Sequence, residues 1–224
     1  MEFMNEQGQI SAARALSLIG ARQPKQICNF DFESAEDAEA LLAYFYRKEM
    51  GHDELDTEVL AAYIHDVIDW MMNGDRPLLL LMGQTGCGKT TMLNAICKMV
   101  GYLYYSNISG TGTSLDRRGF QWDSAYKVAE WAKNDRNRYV EFQRSEWAAI
   151  DDLGQENKGE LDYGSPIYPI RDVLLYRYEN RLLTIASTNF RPKDLTEFYG
   201  ERVGDRLAEM AHIIKFNETS YRRL

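Results

Sequence analysis

Directly after the apolar run Leu78 to Met82 the chain reads GQTGCGKT over residues 83 to 90. Glycine, four residues, glycine, lysine and then serine or threonine is the spacing that lets a backbone wrap a phosphate. Gly83, Gly86 and Gly88 remove the Cβ atoms that would block close approach, and main-chain N–H groups then converge on an anion at a helix N-terminus. Lys89 is placed to reach the outer phosphates, and the Thr90 hydroxyl is an oxygen donor of the kind Mg²⁺ takes beside a nucleotide. The expected nucleotide contacts are Gly83, Gln84, Thr85, Gly86, Cys87, Gly88, Lys89, Thr90 and Thr91, with ATP and Mg²⁺ as the bound species. The alternative is a glycine-rich turn with no ligand. Cys87 occupies a variable position of the loop, where a thiol is tolerated and an oxidised sulfur would crowd the phosphates.

Such a loop needs an acid from a neighbouring strand, and WAAIDDLG, residues 147 to 154, is an apolar strand ending in Asp151 and Asp152. Successive strand side chains point to opposite faces, so the two carboxylates can take separate roles. Asp151 is expected at Mg²⁺ and Asp152 at the attacking water, as orienting group or base. The competing reading for either acid is a turn cap.

These groups need a scaffold. From Pro77 onward, short apolar runs alternate with helical segments, the pattern of a parallel sheet covered by helices. Five strands are expected, at Leu78 to Met82, Tyr102 to Ser106, Trp147 to Ile150, Leu183 to Ser187 and Ile213 to Phe216, with helices near 89 to 100, 123 to 134, 169 to 180 and 193 to 210. Upstream, Ser34 can cap a helix with Ala38, Leu41, Leu42 and Phe45 on its apolar face. Thr57 can cap a second, striped by Leu60, Tyr63, Ile64, Val67 and Ile68, with Gly74 beyond its end. A weaker helical candidate, Ile10 to Ile19, stops at Gly20. The expected division is an arm over 1–33, a helical elaboration packed on the core over 34–76, and the nucleotide-binding core over 77–224.

Composition narrows the function classes. At 224 residues and 45% hydrophobic, the chain can bury one sizeable core. Its longest wholly apolar run has five residues, against the roughly 20 that a membrane-spanning helix requires. The opening MEFMNEQGQI has no basic segment followed by an apolar stretch, so the cytoplasm is the expected compartment. Cys28, Cys87 and Cys97 make no CxxC pair and read as free thiols. His52, His65 and His212 lack metal-ligand spacing. With a net charge of −8 the average field repels a polyanion, so nucleic acid must be met by a local patch.

Four blocks together give the sequence a family resemblance: NFDF at 29 to 32, GQTGCGKT, IDDLGQE at 150 to 156, and GERVGDRL at 200 to 207 leading through an apolar strand to SYRR at 220 to 223. The chain resembles an AAA+ ATPase, and within that class the DnaC-type helicase loaders and IstB-type transposition ATPases. The resemblance implies a five-stranded parallel sheet in the order 5-1-4-3-2. It implies a sensor role for Asn189, an arginine finger at Arg206 that reaches a neighbouring subunit's γ-phosphate, and a second sensor at Arg222. A homo-oligomer in the ATP state follows from the finger, since an always-charged planar guanidinium from a second subunit couples hydrolysis to assembly. Arg202 is a rival finger, and an intrachain salt bridge from Arg206 to Asp205 or Glu201 is the structural alternative. The sequence departs from the loaders in a shorter N-terminal region and carries Asp152 where many AAA+ proteins have glutamate, although aspartate is familiar in this branch. The eight residues after Phe216 are expected to leave no room for the helical lid of larger AAA+ proteins, as in other loaders of this kind.

Residues 109 to 122, SGTGTSLDRRGFQW, interleave Arg117 and Arg118 with Phe120 and Trp122, a mixture suited to the backbone and bases of single-stranded DNA. Packing of those aromatics on the core is the competing reading. Lys133, Arg136, Arg138 and Arg144 lie among acids and read as a solvated face. The function expected is ATP hydrolysis in DNA replication, with single-stranded DNA and a replicative helicase as partners. Alternatives are a transposition ATPase that binds duplex DNA and regulates a transposase, a small-molecule kinase, and a nucleotide-gated adaptor with negligible hydrolysis.

Overall fold

The computed structural model describes residues 30–51, 57–108, 119–157, 159–162 and 165–216. The helical candidate at Ile10 to Ile19 and residues Cys28, His52, Arg117, Arg118 and Arg222 lie outside them. In chain order the elements are α1 (Ala35–Met50), α2 (Thr57–Asn73), β1 (Leu78–Met82), α3 (Lys89–Ile108), β2 (Gln121–Ser124), α4 (Ala125–Asn134), α5 (Arg136–Arg144) and β3 (Trp147–Leu153). A two-stranded antiparallel hairpin follows, β4 (Glu160–Asp162) and β5 (Ser165–Ile167). The chain continues through α6 (Pro169–Glu179), β6 (Leu183–Thr188), α7 (Pro192–Tyr199), α8 (Glu201–Met210) and β7 (Ala211–Lys215).

The main sheet has five parallel strands in the order β2-β3-β6-β1-β7. Counting only these strands, the order is 5-1-4-3-2, as the resemblance implies. β1 is buried throughout because it has a strand on each side and helices on both faces. Its alternation divides the core. Leu79 and Leu81 pack with α1, α2 and α3, whereas Leu78, Leu80 and Met82 pack with α4 to α8. The N-terminal helices therefore cover the same face of the sheet as the helix that follows the phosphate loop.

Local chemistry sets the ends of these helices. The Ser34 hydroxyl accepts from the Asp37 N–H at 3.1 Å, Glu36 and Asp37 favour the positive end of α1, and Gly51 closes it at φ 76°. His65 Nδ1 on α2 lies 2.7 Å from Glu39 Oε1 on α1, an exposed contact that accounts for one of the histidines.

The second strand is a correction. Tyr102 to Ser106 continues α3, which runs to Ile108. Gly101 faces open space, no proline or cap halts the helix, and Tyr102 stays beside Phe45 of α1 at a ring distance of 5.9 Å. The strand that pairs with β3 is Gln121–Ser124, with Gln121 opposite Ala148 and Ser124 opposite Asp151. It is a polar edge strand and so gives no apolar run to read. The single helix expected over 193–210 is two helices, broken at Gly200, where φ 93° and ψ 159° fall in a region that essentially only glycine adopts. The expectation also omitted α5, whose first turn is capped when the Asp135 carboxylate accepts from the Arg138 N–H at 3.1 Å, and the β4–β5 hairpin.

Candidate nucleotide site

The phosphate loop leaves the end of β1 and enters α3 at Lys89. Gly86 and Gly88 sit at φ 88° and 95°, the left-handed region that favours glycine. Gly83 is needed for space, since a Cβ there would lie 2.8 Å from Cys87 Sγ and 2.9 Å from the Phe216 carbonyl oxygen. Tyr46 of α1 packs directly over Gly88, so the N-terminal helix braces the loop.

Lys89 is 4% exposed. Its Nζ donates to the Gln84 carbonyl at 2.7 Å and to Asn189 Oδ1 at 2.9 Å, and lies 3.7 Å from Cys87 Sγ. A buried ammonium requires such acceptors, and these are neutral. Among the described residues the cation is therefore bonded without a carboxylate to neutralise it, which suits the binding of an anion. Cys87 Sγ itself donates to the Gln84 carbonyl at 2.9 Å, so its thiol holds the loop backbone.

The acid strand approaches from beyond β6. Thr90 Oγ1 donates to Asp151 Oδ1 at 3.1 Å, and Ser187 Oγ donates to the same oxygen. The Asp152 N–H donates to Ser187 Oγ at 2.9 Å, so one serine spans both acids. Asp152 does not continue the regular strand. Its φ is 57°, and the β3–β6 register shifts between Ile150 and Leu153. Asp152 thus sits in a bulge, where strand alternation alone does not set the direction of its side chain.

The donor set fits a magnesium nucleotide. Thr90 and Asp151 place a hydroxyl and a carboxylate side by side beside the loop, and Mg²⁺ takes few protein ligands when phosphates supply the others. Among the described residues no group of three or more His, Cys, Asp or Glu could hold a metal by itself. Burial, with the Asp151 charge adding to it, pushes the Cys97 thiol up to about 12, so this cysteine is a packing residue.

The remaining expected residues are dispersed. Arg206 on α8 donates to Tyr178 Oη at 3.0 Å, contacts Glu209 at 3.5 Å and lies over the Tyr178 ring at 4.6 Å, partners other than the Asp205 and Glu201 of the structural alternative. Arg202 pairs with Glu179 at 3.3 Å. Phe120 corrects the expectation of base stacking: it is 9% exposed and packs on Trp147 at a ring distance of 5.7 Å. Trp122, on the edge strand, is 52% exposed. Arg138 lies 3.9 Å over the Trp131 ring, so part of the basic group expected on a solvated face covers an aromatic.

Sequence reasoning missed Ser187, Glu156 and Tyr199. The acid block includes Glu156, but nothing in its spacing reveals the phenol it meets 43 residues later.

No curated protein matches the chain by sequence. The crystal structure of DnaI is similar to it with a TM-score of 0.52 and 18% identity, over 78% of this chain and 92% of that one. That of the DnaC helicase loader is similar with a TM-score of 0.52 and 18% identity, over 77% of this chain and 98% of that one. These likenesses establish the fold. The model of the Rad17 P-loop domain matches residues 52–163, half of the chain and the part that holds the phosphate loop and the acid strand. The chain has the AAA+ P-loop fold and belongs to the Rad17 P-loop domain family.

Proposed function

We propose that the protein binds ATP with Mg²⁺ and hydrolyses it, acting in DNA replication as a helicase-loader-like factor on single-stranded DNA. The observation that carries the nucleotide reading is the convergence of three segments of the chain at the mouth of the loop, where Lys89 bonds Asn189 and the adjacent Thr90 bonds Asp151. In this reading Lys89 exchanges the Gln84 carbonyl and Asn189 for phosphate oxygens, which frees the Asn189 amide to position the attacking water. Thr90 and Asp151 would hold the magnesium, whose chemistry is to neutralise charge on the phosphate oxygens. Asp152, in the bulge beside Asp151, orients or deprotonates the water.

The loader assignment is supported by fold similarity extending over nearly the whole of the DnaC structure. For DNA, support comes from exposed Trp122 on the edge strand, which lines a groove together with Gln121, Trp131, Arg138 and the acidic Glu141. Arg117 and Arg118 remain the proposed backbone contacts. An assembly in which Arg206 or Arg202 enters a neighbour's site would require that arginine to leave Tyr178 or Glu179.

Calorimetry with ATP and Mg²⁺ on the wild type and on Lys89→Ala tests the core of the proposal. Uptake by the wild type and its loss in the variant are expected; equal uptake by both would remove the loop assignment. Phosphate release should rise with protomer concentration. Transfer of phosphate to a metabolite instead of water would identify a kinase, and undetectable release with DNA present would identify an adaptor.

A further inference from the structure

Behind the acid turn, two buried polar side chains meet that play no part in gripping a nucleotide. Glu156 is 6% exposed, and Tyr199, at the end of α7, is also buried. Tyr199 Oη donates to Glu156 Oε1 at 2.5 Å, and the Gly154 N–H donates to both Glu156 Oε2 and Tyr199 Oη at 3.0 Å. A carboxyl and a phenol buried this deeply are costly unless bonded, so the cluster specifies one geometry.

It fixes the backbone immediately after Asp151 and Asp152. On the β6 side, Thr188 Oγ1 donates to the Leu153 carbonyl at 2.8 Å, and the Phe190 ring lies 2.6 Å from where a Gly154 Cβ would sit, with Gly154 at φ 90°. On the α7 side the fastening is Glu156 with Tyr199. The chain then turns at Gly200 into α8, which carries Arg202 and Arg206. A continuous bonded path therefore runs from the two carboxylates through Gly154 to the corner before the arginine-bearing helix.

We infer that Glu156 and Tyr199 are a positioning pair that ties the Asp151–Asp152 turn to the α7–α8 corner and so fixes where the two carboxylates stand. This rests on the nucleotide reading above. The pair touches neither nucleotide nor metal in that reading; it sets where the acids stand. Burial raises the Glu156 carboxyl above its usual range, with the Tyr199 and Gly154 hydrogen bonds opposing the shift. This fits a role based on hydrogen-bond geometry more than on charge.

The test uses the full chain with Glu156→Ala, Glu156→Gln and Tyr199→Phe. It measures steady-state ATP hydrolysis, calorimetric nucleotide affinity, and hydrogen exchange of the 150–157 backbone. For Glu156→Ala, kcat should fall about 10- to 100-fold with KM and affinity within about threefold, since a small misplacement of reacting groups costs rate and not binding. Glu156→Gln should recover part of the rate and of the Gly154 protection, because its amide oxygen can accept from Gly154 while its NH₂ donates to the phenol, whose own O–H then loses its acceptor. Tyr199→Phe removes one oxygen, and its kcat should fall about three- to tenfold; if Glu156→Ala does not fold, this milder variant decides. Full kcat in the alanine or phenylalanine variant, or parallel loss of rate and affinity that glutamine does not rescue, would overturn the pair. A wild type that neither binds nor hydrolyses ATP would end the nucleotide reading and this inference together, whereas an active wild type beside a fully active Glu156→Ala would end only the inference.

Discussion

Lys89 and Asn189, a hundred residues apart in the chain, are joined by a hydrogen bond of 2.9 Å from the ammonium to the side-chain carbonyl. The contact binds the head of α3 to the segment after β6 and gives a buried cation a neutral partner that an anion can replace. Removal of Asn189 should therefore affect turnover more than binding. Asn189→Ala is expected to lower kcat about 10- to 100-fold by loss of a group that positions water, with nucleotide affinity within about threefold. Steady-state kinetics beside calorimetry checks this, and a loss confined to affinity would show that Asn189 is only a phosphate contact.

Among the described residues Arg177 has no carboxylate partner, yet it is almost fully buried. Its guanidinium donates to the carbonyls of Ser145 at 2.8 Å and Leu183 at 2.6 Å and to Thr184 Oγ1 at 2.8 Å, fastening the C-terminal end of α5 and the start of β6 to α6. Burial lowers its pKa to about 9, which leaves it charged at neutral pH. Arg177→Met would strand those oxygens, at an expected cost of about 3 kcal/mol. Urea denaturation should show that loss, while nucleotide affinity of the folded fraction stays unchanged. A shift below about 0.5 kcal/mol would mean that solvent satisfies the carbonyls once the side chain is gone.

The parts legible in sequence were those where backbone geometry demands a residue type. Gly86 and Gly88 mark left-handed turns, and the apolar runs of β1, β3 and β6 mark strands covered on both faces. β2 was hidden because an edge strand needs no apolar run, and the aromatic run from Tyr102 imitates a strand although the helix continues through it, with Tyr102 packed on Phe45 of α1. Gly200 was ambiguous in another way: a glycine inside a helical pattern can be tolerated or can end the helix, and only its backbone angles distinguish the two. The Glu156–Tyr199 and Asp151–Ser187 contacts could not be read, since a pair of polar residues 43 or 36 apart has no periodicity to reveal it.

Cys97 gives a simple chemical check on the burial of α3. Its thiol is raised to about 12, largely by desolvation, so almost no thiolate exists at pH ~8 and alkylation is slow as well as sterically blocked. Iodoacetamide followed by peptide mass spectrometry should leave Cys97 unmodified in folded protein and label it after denaturation. Rapid labelling under native conditions would mean that α3 detaches from the sheet far more often than its packing implies.

Glu156 sets a pH dependence whose sign follows from its environment. Burial raises the folded carboxyl above 4.5, more than the hydrogen bonds from Tyr199 and Gly154 lower it. Between the unfolded and folded values the native state holds more protons than the unfolded chain. The stability linked to this group is therefore fully present below about 4.5 and is lost as pH rises through the folded value. Glu156→Gln has no such titration. The unfolding free energy of the wild type minus that of Glu156→Gln, from urea curves between pH ~4.5 and ~8, should fall with pH and then level off. A difference that does not fall, but stays level after at most a small rise near pH ~4.5, would show that the hydrogen bonds outweigh burial and that the carboxylate is held charged.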